Sequence, residues 1–378
     1  MSSPSLPSSS SPAPGHFAWL DWIRFLASFL VVIAHTRYSH FAPYAQLEVP
    51  GKGPAMDALF LLPAFANEAV MIFFVLSGYL VGGRCIERLL LGTFDAKSYA
   101  LDRVTRIWIP LIPAVVLTWI AELICGDPPA IRNGLENLLA LQEFVAKPMT
   151  HNAPLWTLSY EIWFYVLAFG VGLVITGKKP AVKTFAMLLT CVGMATFIRL
   201  NSLNLFIWMM GALAYLVPGR KGAWWQLAIG LGAIFGGTVL SALATELSTF
   251  APGTLPFPVP PRKPSLALLG MGFALSLPVI VASFPVSGLW SRVERLGTRL
   301  AAFSYSLYLT HWPLLYLWSH FEGSRKHERV DLGTIGLYGV KVVVCVAFSW
   351  LFYLAFEKHT PQVRRWLSRK FLAKGKVG

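Results

Sequence analysis

Two ionisable residues stand where a lipid-embedded helix should carry none. The stretch WLDWIRFLASFLVVIAHTRYSH, residues 19–40, is mostly Leu, Ile, Val, Phe and Ala, yet it holds Arg24 near its start and His35 near its end. At 3.6 residues per turn, eleven steps rotate the chain by ~1100°, only ~20° past three full turns, so both side chains share one helix face about 16 Å apart along the axis. Asp21 and Ser28, three before and four after Arg24, join the same stripe. An arginine inside a membrane costs ~2.5–3.5 kcal/mol on insertion scales, which makes such a residue a candidate functional group. The chemistry on offer is anion binding by the guanidinium and general-base catalysis by the neutral imidazole. Two bland readings stand beside it: helix packing, and an Arg24 that snorkels to the headgroups.

Three more constellations carry chemistry. Arg103 and Arg106, in SYALDRVTRIWIP (98–110), are i, i+3 neighbours. Their paired guanidiniums suit a phosphate-rich ligand, although basic residues also gather at cytoplasmic helix ends for topological reasons. Glu161, in APLWTLSYEIWFYVLAF (153–169), has Thr157 and Tyr165 at i±4, and a carboxylate at that depth must pair or accept hydrogen bonds. Ser304, Tyr308 and His311, in FSYSLYLTHWPLL (303–315), share a helical face. The Pro313 that follows removes a backbone donor and frees a carbonyl for another partner. In FFVLSGYLVGGR (73–84), Ser77 and Gly78 read as close helix packing. His40, His151, His320, His327 and His359 fall in loops or tails and His16 precedes the first span; none is assigned a role. The four cysteines are far apart and form no ligand spacing, so no metal is expected.

The elements that must position these groups are membrane helices. Hydrophobic residues make up 55% of the 378 and charged residues only 13%, too little charge to cover a water-soluble surface of that size. The fold class is all-α: a polytopic bundle of about ten transmembrane helices, expected near 17–36, 61–83, 106–124, 154–176, 184–200, 202–218, 223–244, 265–284, 301–319 and 334–356. Residues 1–15 read as a disordered cytoplasmic tail, 16–358 as the membrane domain and 359–378 as a basic cytoplasmic tail. The segment 137–147 is too short to span, and PGTLPFPVPPRKP (252–264) reads as an outer connector. Twenty Lys and Arg fall on one side of this arrangement and ten on the other, which predicts both termini in the cytoplasm. The net charge of +14 reads as part of the same positive-inside bias, and no basic cluster interleaved with aromatics points to a nucleic-acid partner. A multi-span transporter is the alternative reading of polar stripes in a helical bundle, although no internal repeat supports it.

Taken in order, Arg24 with His35, FFVLSGYL, RVTR (103–106), WTLSYEIWFY (156–165) and SYSLYLTHWPLL (304–315) resemble the motif set of the acyltransferase-3 family of integral membrane acyltransferases. The resemblance spans about residues 17–356. It implies a ten-helix enzyme of a bacterial inner membrane that moves an acyl group, commonly acetyl, from cytoplasmic acyl-CoA to a hydroxyl of a carbohydrate or lipid-linked glycan. It further implies a catalytic His35 supported by Arg24, an acyl-donor role for Arg103 and Arg106, and a place for Glu161 in the fourth motif. With these, His311, Ser304, Tyr308 and Trp156 are expected as substrate or oxyanion contacts. Met71 departs from the pattern, standing where many relatives carry an acidic or polar residue. The fused extracytoplasmic hydrolase-like domain of some relatives has no counterpart in these residues, so transfer is expected to finish unaided or with a separate enzyme.

Overall fold

The computed structural model describes residues 18–43, 46–48, 65–219, 221–250, 262–283 and 291–371. The 1–15 tail, His16 and the connector up to residue 261 lie outside them. The described residues form helices α1 (Ala18–His40), α2 (Ala66–Leu90), α3 (Ala96–Ile124), α4 (Ile131–Leu138), α5 (Trp156–Thr176), α6 (Pro180–Arg199), α7 (Ser202–Leu216), α8 (Trp224–Phe250), α9 (Arg262–Ser283), α10 (Ser291–Ala302), α11 (Ser304–Phe321), α12 (Leu332–Ala355) and α13 (Thr360–Phe371). No strand forms among them. Among the described residues, eight helices are long and apolar enough to cross a membrane; α7 is apolar but has only 15 residues, and α11 has 18 with several polar side chains. Each of the ten expected segments is mainly helical over its described residues, with 17, 61–64 and 284 lying outside them, so the all-α membrane bundle holds.

Boundaries shift where local chemistry intervenes. Helix α3 starts ten residues earlier than expected because Asp95 caps it, accepting from the backbone N–H of Lys97 (2.9 Å) and Ser98 (3.3 Å). Arg103 and Arg106 therefore sit about two to three turns inside a helix rather than at its mouth. Between α6 and α7, Asn201 accepts from the Leu203 N–H (3.2 Å) and separates the two helices. At the start of α12, Asp331 accepts from the Thr334 N–H (2.8 Å), a bond that holds its carboxyl below the usual carboxylate range.

The 137–147 segment does not span. Helix α4 ends at Leu138, and the chain turns back with Ala140 and Glu143 at positive φ. The Ala140 carbonyl accepts from Trp163 Nε1 (3.0 Å) and Ser159 Oγ (3.3 Å), which pins the turn to α5. Two short helices add to the expected picture. Helix α10 meets α1 where Trp22 Nε1 donates to the Val293 carbonyl (3.0 Å). Helix α13 occupies the segment expected as a tail and docks on α3 through an Arg364–Asp102 ion pair. Both lie at the end of the bundle that carries Arg24 and Arg103, called here the basic end.

Helix α2 contains a π-helical turn, Gly78–Gly83, and crosses α7 with almost no space between backbones. A Cβ on Gly78 would lie 1.9 Å from the Trp208 carbonyl oxygen, and one on Gly211 would lie 2.1 Å from that of Val75. The packing role read from FFVLSGYL is what the crossing requires. Gly78→Val is expected to lower stability by at least the ~1–3 kcal/mol typical of overpacking. Gly336→Ala, at a position with nothing within 4 Å, serves as the neutral control. Thermal unfolding of the two variants in detergent checks this; equal melting temperatures would refute the tight-crossing account.

Proline acts as expected in α11. Pro313 cannot donate to the Leu309 carbonyl, and the fully buried Asn152 does so instead, through Nδ2 at 3.0 Å. Asn152 lies in the 3₁₀ turn Thr150–Leu155 that enters α5, so this bond fixes α5 against α11 beside the polar groups described next.

Candidate active site

A cavity of about 580 Å³ opens between α1, α2, α3, α5 and α11 in the basic half of the bundle. Four arginines line it: Arg24, Arg84, Arg103 and Arg106. The carboxylates of Asp21 and Glu161 face it, as do the hydroxyl-bearing Ser77, Ser304 and Tyr308. Five distant segments thus converge on one space large enough for a small-molecule ligand, as expected of a site between bundle helices.

The arginines are not equivalent. Arg24 donates to Asp21 Oδ1 (3.1 Å) and to the Ala301 carbonyl (3.4 Å), which holds it on the wall. Arg106 donates to Glu357 Oε1 (2.9 Å), while the other oxygen of that carboxylate accepts from Ser306 N (3.1 Å) and Ser306 Oγ (2.7 Å). The Glu357 side chain is 1% exposed and that of Arg106 is 40% exposed toward the cavity. Arg103 has no carboxylate in ion-pair reach among the described residues. Its guanidinium lies over the rings of Tyr165 (5.3 Å) and Tyr99 (5.9 Å), with a buried Nε that makes no hydrogen bond. The pair that spacing treats as one unit therefore divides, with Arg106 committed to Glu357 and Arg103 open to an anion.

Glu161 accepts from the Tyr165 hydroxyl at 2.5 Å, and that hydroxyl is 3.3 Å from Ser77 Oγ. Ser304 Oγ donates to the Ala301 carbonyl (2.8 Å) on the cavity wall. Tyr308 closes the end of the cavity away from the basic face: its hydroxyl donates to the Pro154 carbonyl (2.5 Å) and lies 2.7 Å from Thr157 Oγ1. Trp156 is not brought to the cavity; it packs edge-on against Tyr160 with ring centroids 5.6 Å apart.

One turn beyond Tyr308 lies a histidine pair. His35 Nδ1 is 2.8 Å from His311 Nε2; the ring planes lie within 12° of each other with centroids 5.1 Å apart, so the rings meet edge to edge through these nitrogens. His311 Nδ1 is 3.0 Å from the Leu307 carbonyl, one turn back on α11. Trp312 meets the His35 ring edge-on at 4.8 Å. This chain of bonds assigns the protons. A carbonyl can only accept, so His311 carries its proton on Nδ1 and leaves a lone pair on Nε2. That lone pair requires a proton on His35 Nδ1. The remaining nitrogen of His35, Nε2, is then a free base.

Helical phase placed Arg24 and His35 on one stripe, and α1 runs unbroken between them. The tertiary structure assigns them different neighbours: Arg24 belongs to the cavity and His35 to the relay. Glu161 accepts from the Tyr165 hydroxyl, and the side chain within hydrogen-bond reach of His35 is His311. With its proton on Nδ1, His311 offers a lone pair on Nε2 to His35. Glu357 is the residue that sequence reasoning missed. A lone carboxylate directly after an apolar span, in LAFEKH (354–359), was the available signal.

Neither a curated relative nor a solved structure matches the chain. A family model described as an acyltransferase domain does match, over residues 17–354, a range that takes in α1 to α12 with both the arginine-lined cavity and the histidine relay. The chain belongs to the acyltransferase-3 family and is a multi-pass membrane acyltransferase.

Proposed function

We propose that the protein transfers an acyl group, acetyl in the simplest case, from acyl-CoA to a hydroxyl of a surface or exported carbohydrate, in a bacterial inner membrane with the basic end in the cytoplasm. The observation that carries this reading is the base-poised His35–His311–Leu307 relay one turn beyond a cavity with four arginines. The phosphates of acyl-CoA sit against Arg103 and Arg84, where charge-assisted hydrogen bonds favour a polyanion. The pantetheine arm runs inward, and the thioester approaches Tyr308. The acceptor hydroxyl comes from the opposite side and donates its proton to His35 Nε2 as its oxygen attacks the thioester carbonyl. A carbon–oxygen bond forms, the carbon–sulfur bond breaks, and the proton on His35 is available to the departing CoA thiolate. The hydrogen bond from His35 Nδ1–H to His311 Nε2 stabilises the imidazolium while it lasts. Glu161 and Tyr165 line the path of the donor arm.

The test is a transfer assay in membranes with isotopically labelled acetyl-CoA, read by mass spectrometry of the surface glycan with and without the protein. A mass increment of one acetyl group that depends on the protein is the expected result; no increment with acetyl-CoA or with longer acyl-CoA donors would refute the reading. In the same assay Arg103→Ala is expected to raise the KM for acyl-CoA by ~10–100-fold, the loss of a charged hydrogen bond worth ~1.5–3 kcal/mol. The kcat should change little. An unchanged KM would remove Arg103 from the donor site.

A further inference from the structure

Three side chains with no assigned role meet at the end of the bundle opposite the basic face. His40 is the last residue of α1, Glu322 directly follows α11, and His327 lies in the connection to α12. A short pairing of backbones brings the histidines together. His327 N–H donates to the His40 carbonyl (2.9 Å), and Ala42 N–H donates to the His327 carbonyl (2.9 Å). The two rings then lie with centroids 4.4 Å apart. One ligand atom from each of His40, Glu322 and His327 falls within 4.8 Å of the others.

The hydrogen bonding leaves this cluster incomplete. His40 Nε2 is 2.9 Å from the Thr334 carbonyl, so that nitrogen carries the proton and Nδ1 carries a lone pair. His40 is fully buried and its Nδ1 has no partner. His327 Nε2 is likewise buried without a partner. Each such orphan costs ~1–3 kcal/mol unless something fills it. Glu322 faces them as an anion, with Oε2 bonded to Lys341 Nζ (2.5 Å) and Oε1 to Trp318 Nε1 (2.8 Å).

We propose that His40, His327 and Glu322 form a binding site for a divalent transition-metal ion of the zinc type. Two imidazoles and a carboxylate are a donor set that such ions take, and His40 already shows the arrangement that fixes a ligating ring: the far N–H on a backbone carbonyl, the near lone pair free. A tetrahedral ion with bonds of ~2.0–2.2 Å holds its ligands about 3.5 Å apart. Closure therefore takes a shift of about 1 Å, within reach of the loop-borne His327. Lys341 and Trp318 keep the carboxylate oriented toward the two rings, and the ion uses the carboxylate lone pairs they leave. The bound ion ties the end of α1 to the α11–α12 connection. The ligands His40 and Glu322 sit at the ends of α1 and α11, the helices that carry His35 and His311, so the metal steadies the relay from outside it without touching the reacting atoms.

The test uses the tag-free full-length protein in detergent, stripped with chelator and titrated with ZnCl2 by calorimetry, with thermal unfolding in parallel. Wild type is expected to bind one equivalent of Zn2+ and to melt at a higher temperature when it is present. His327→Gln should weaken that binding by at least the ~10–100-fold that loss of even an outer-shell partner costs, and should abolish the thermal shift. His359→Gln, exposed near the basic end, should behave as wild type. Glu322→Gln provides the same comparison from a second position should His327→Gln fail to fold. Absence of a stoichiometric site in wild type would overturn the proposal. So would a ligand variant that binds Zn2+ as tightly as wild type.

Discussion

Replacing His35 by alanine is expected to reduce acyl transfer by ~10²–10⁴-fold, the range that general-base assistance supplies, while the protein still inserts and folds. Folding should survive because the side chain is only half-buried and, among the described residues, its single polar contact is His311. The acyl-CoA KM should change little, since His35 lies beyond the cavity that the arginines line. His311 gives the companion result. It acts through His35, so His311→Ala should lower kcat with the KM for acyl-CoA unchanged. His311→Gln should recover part of the loss, because its side-chain oxygen can accept from His35 Nδ1–H. A His35→Ala enzyme that transfers at the wild-type rate would refute the base assignment. A His311→Gln enzyme no better than His311→Ala would mean that His311 fills space rather than accepting a hydrogen bond.

The second large effect is on stability, and it separates two arginines that look alike in RVTR. Arg106→Ala is expected to destabilise the protein by about 3 kcal/mol or somewhat more, near the lower end of the ~3–5 kcal/mol seen when one partner of a buried pair is removed. The lower end applies because Arg106 is partly open to the cavity, where water already weakens the pair. The cost arises at Glu357, which would stay buried as a charge with only the Ser306 donors left. Arg103→Ala leaves no charge behind and should melt close to wild type. Adding Glu357→Gln to Arg106→Ala removes the stranded charge and should restore part of the loss in a denaturation series. If the double variant is no more stable than Arg106→Ala, the stranded carboxylate is not the cause. This contrast also decides how donor binding is probed. A raised KM in Arg106→Ala mixes lost contact with lost structure, whereas Arg103→Ala reports on the contact alone.

Much of the architecture was legible because lipid imposes one rule on every span: backbone groups must be satisfied within the segment, so apolar runs of sufficient length become helices. The stripe from Arg24 to His35 was legible for a related reason, since phase within one helix depends only on residue spacing. The freed Leu309 carbonyl was legible from Pro313, which has no N–H to offer. The start of α3 was misplaced because hydropathy alone ends at the first charges, while Asp95 extends the helix by capping it. The amphipathic α10 and the docked α13 escaped because neither is apolar enough to register as a span.

The site divides along the same line. From residue types and spacing alone came the membrane bundle, the set of candidate residues and the resemblance that the family match bears out. Partnership was not legible, because which group faces which depends on helix crossings between segments hundreds of residues apart. Only the tertiary structure joined His35 to His311, assigned Arg106 to Glu357, left Arg103 open and gathered His40, Glu322 and His327 at one point. Spacing sets the face of a helix. The neighbour across that face is set by the close approach of backbones, as at Gly78 and Gly211, and by which polar groups can satisfy one another once water is excluded.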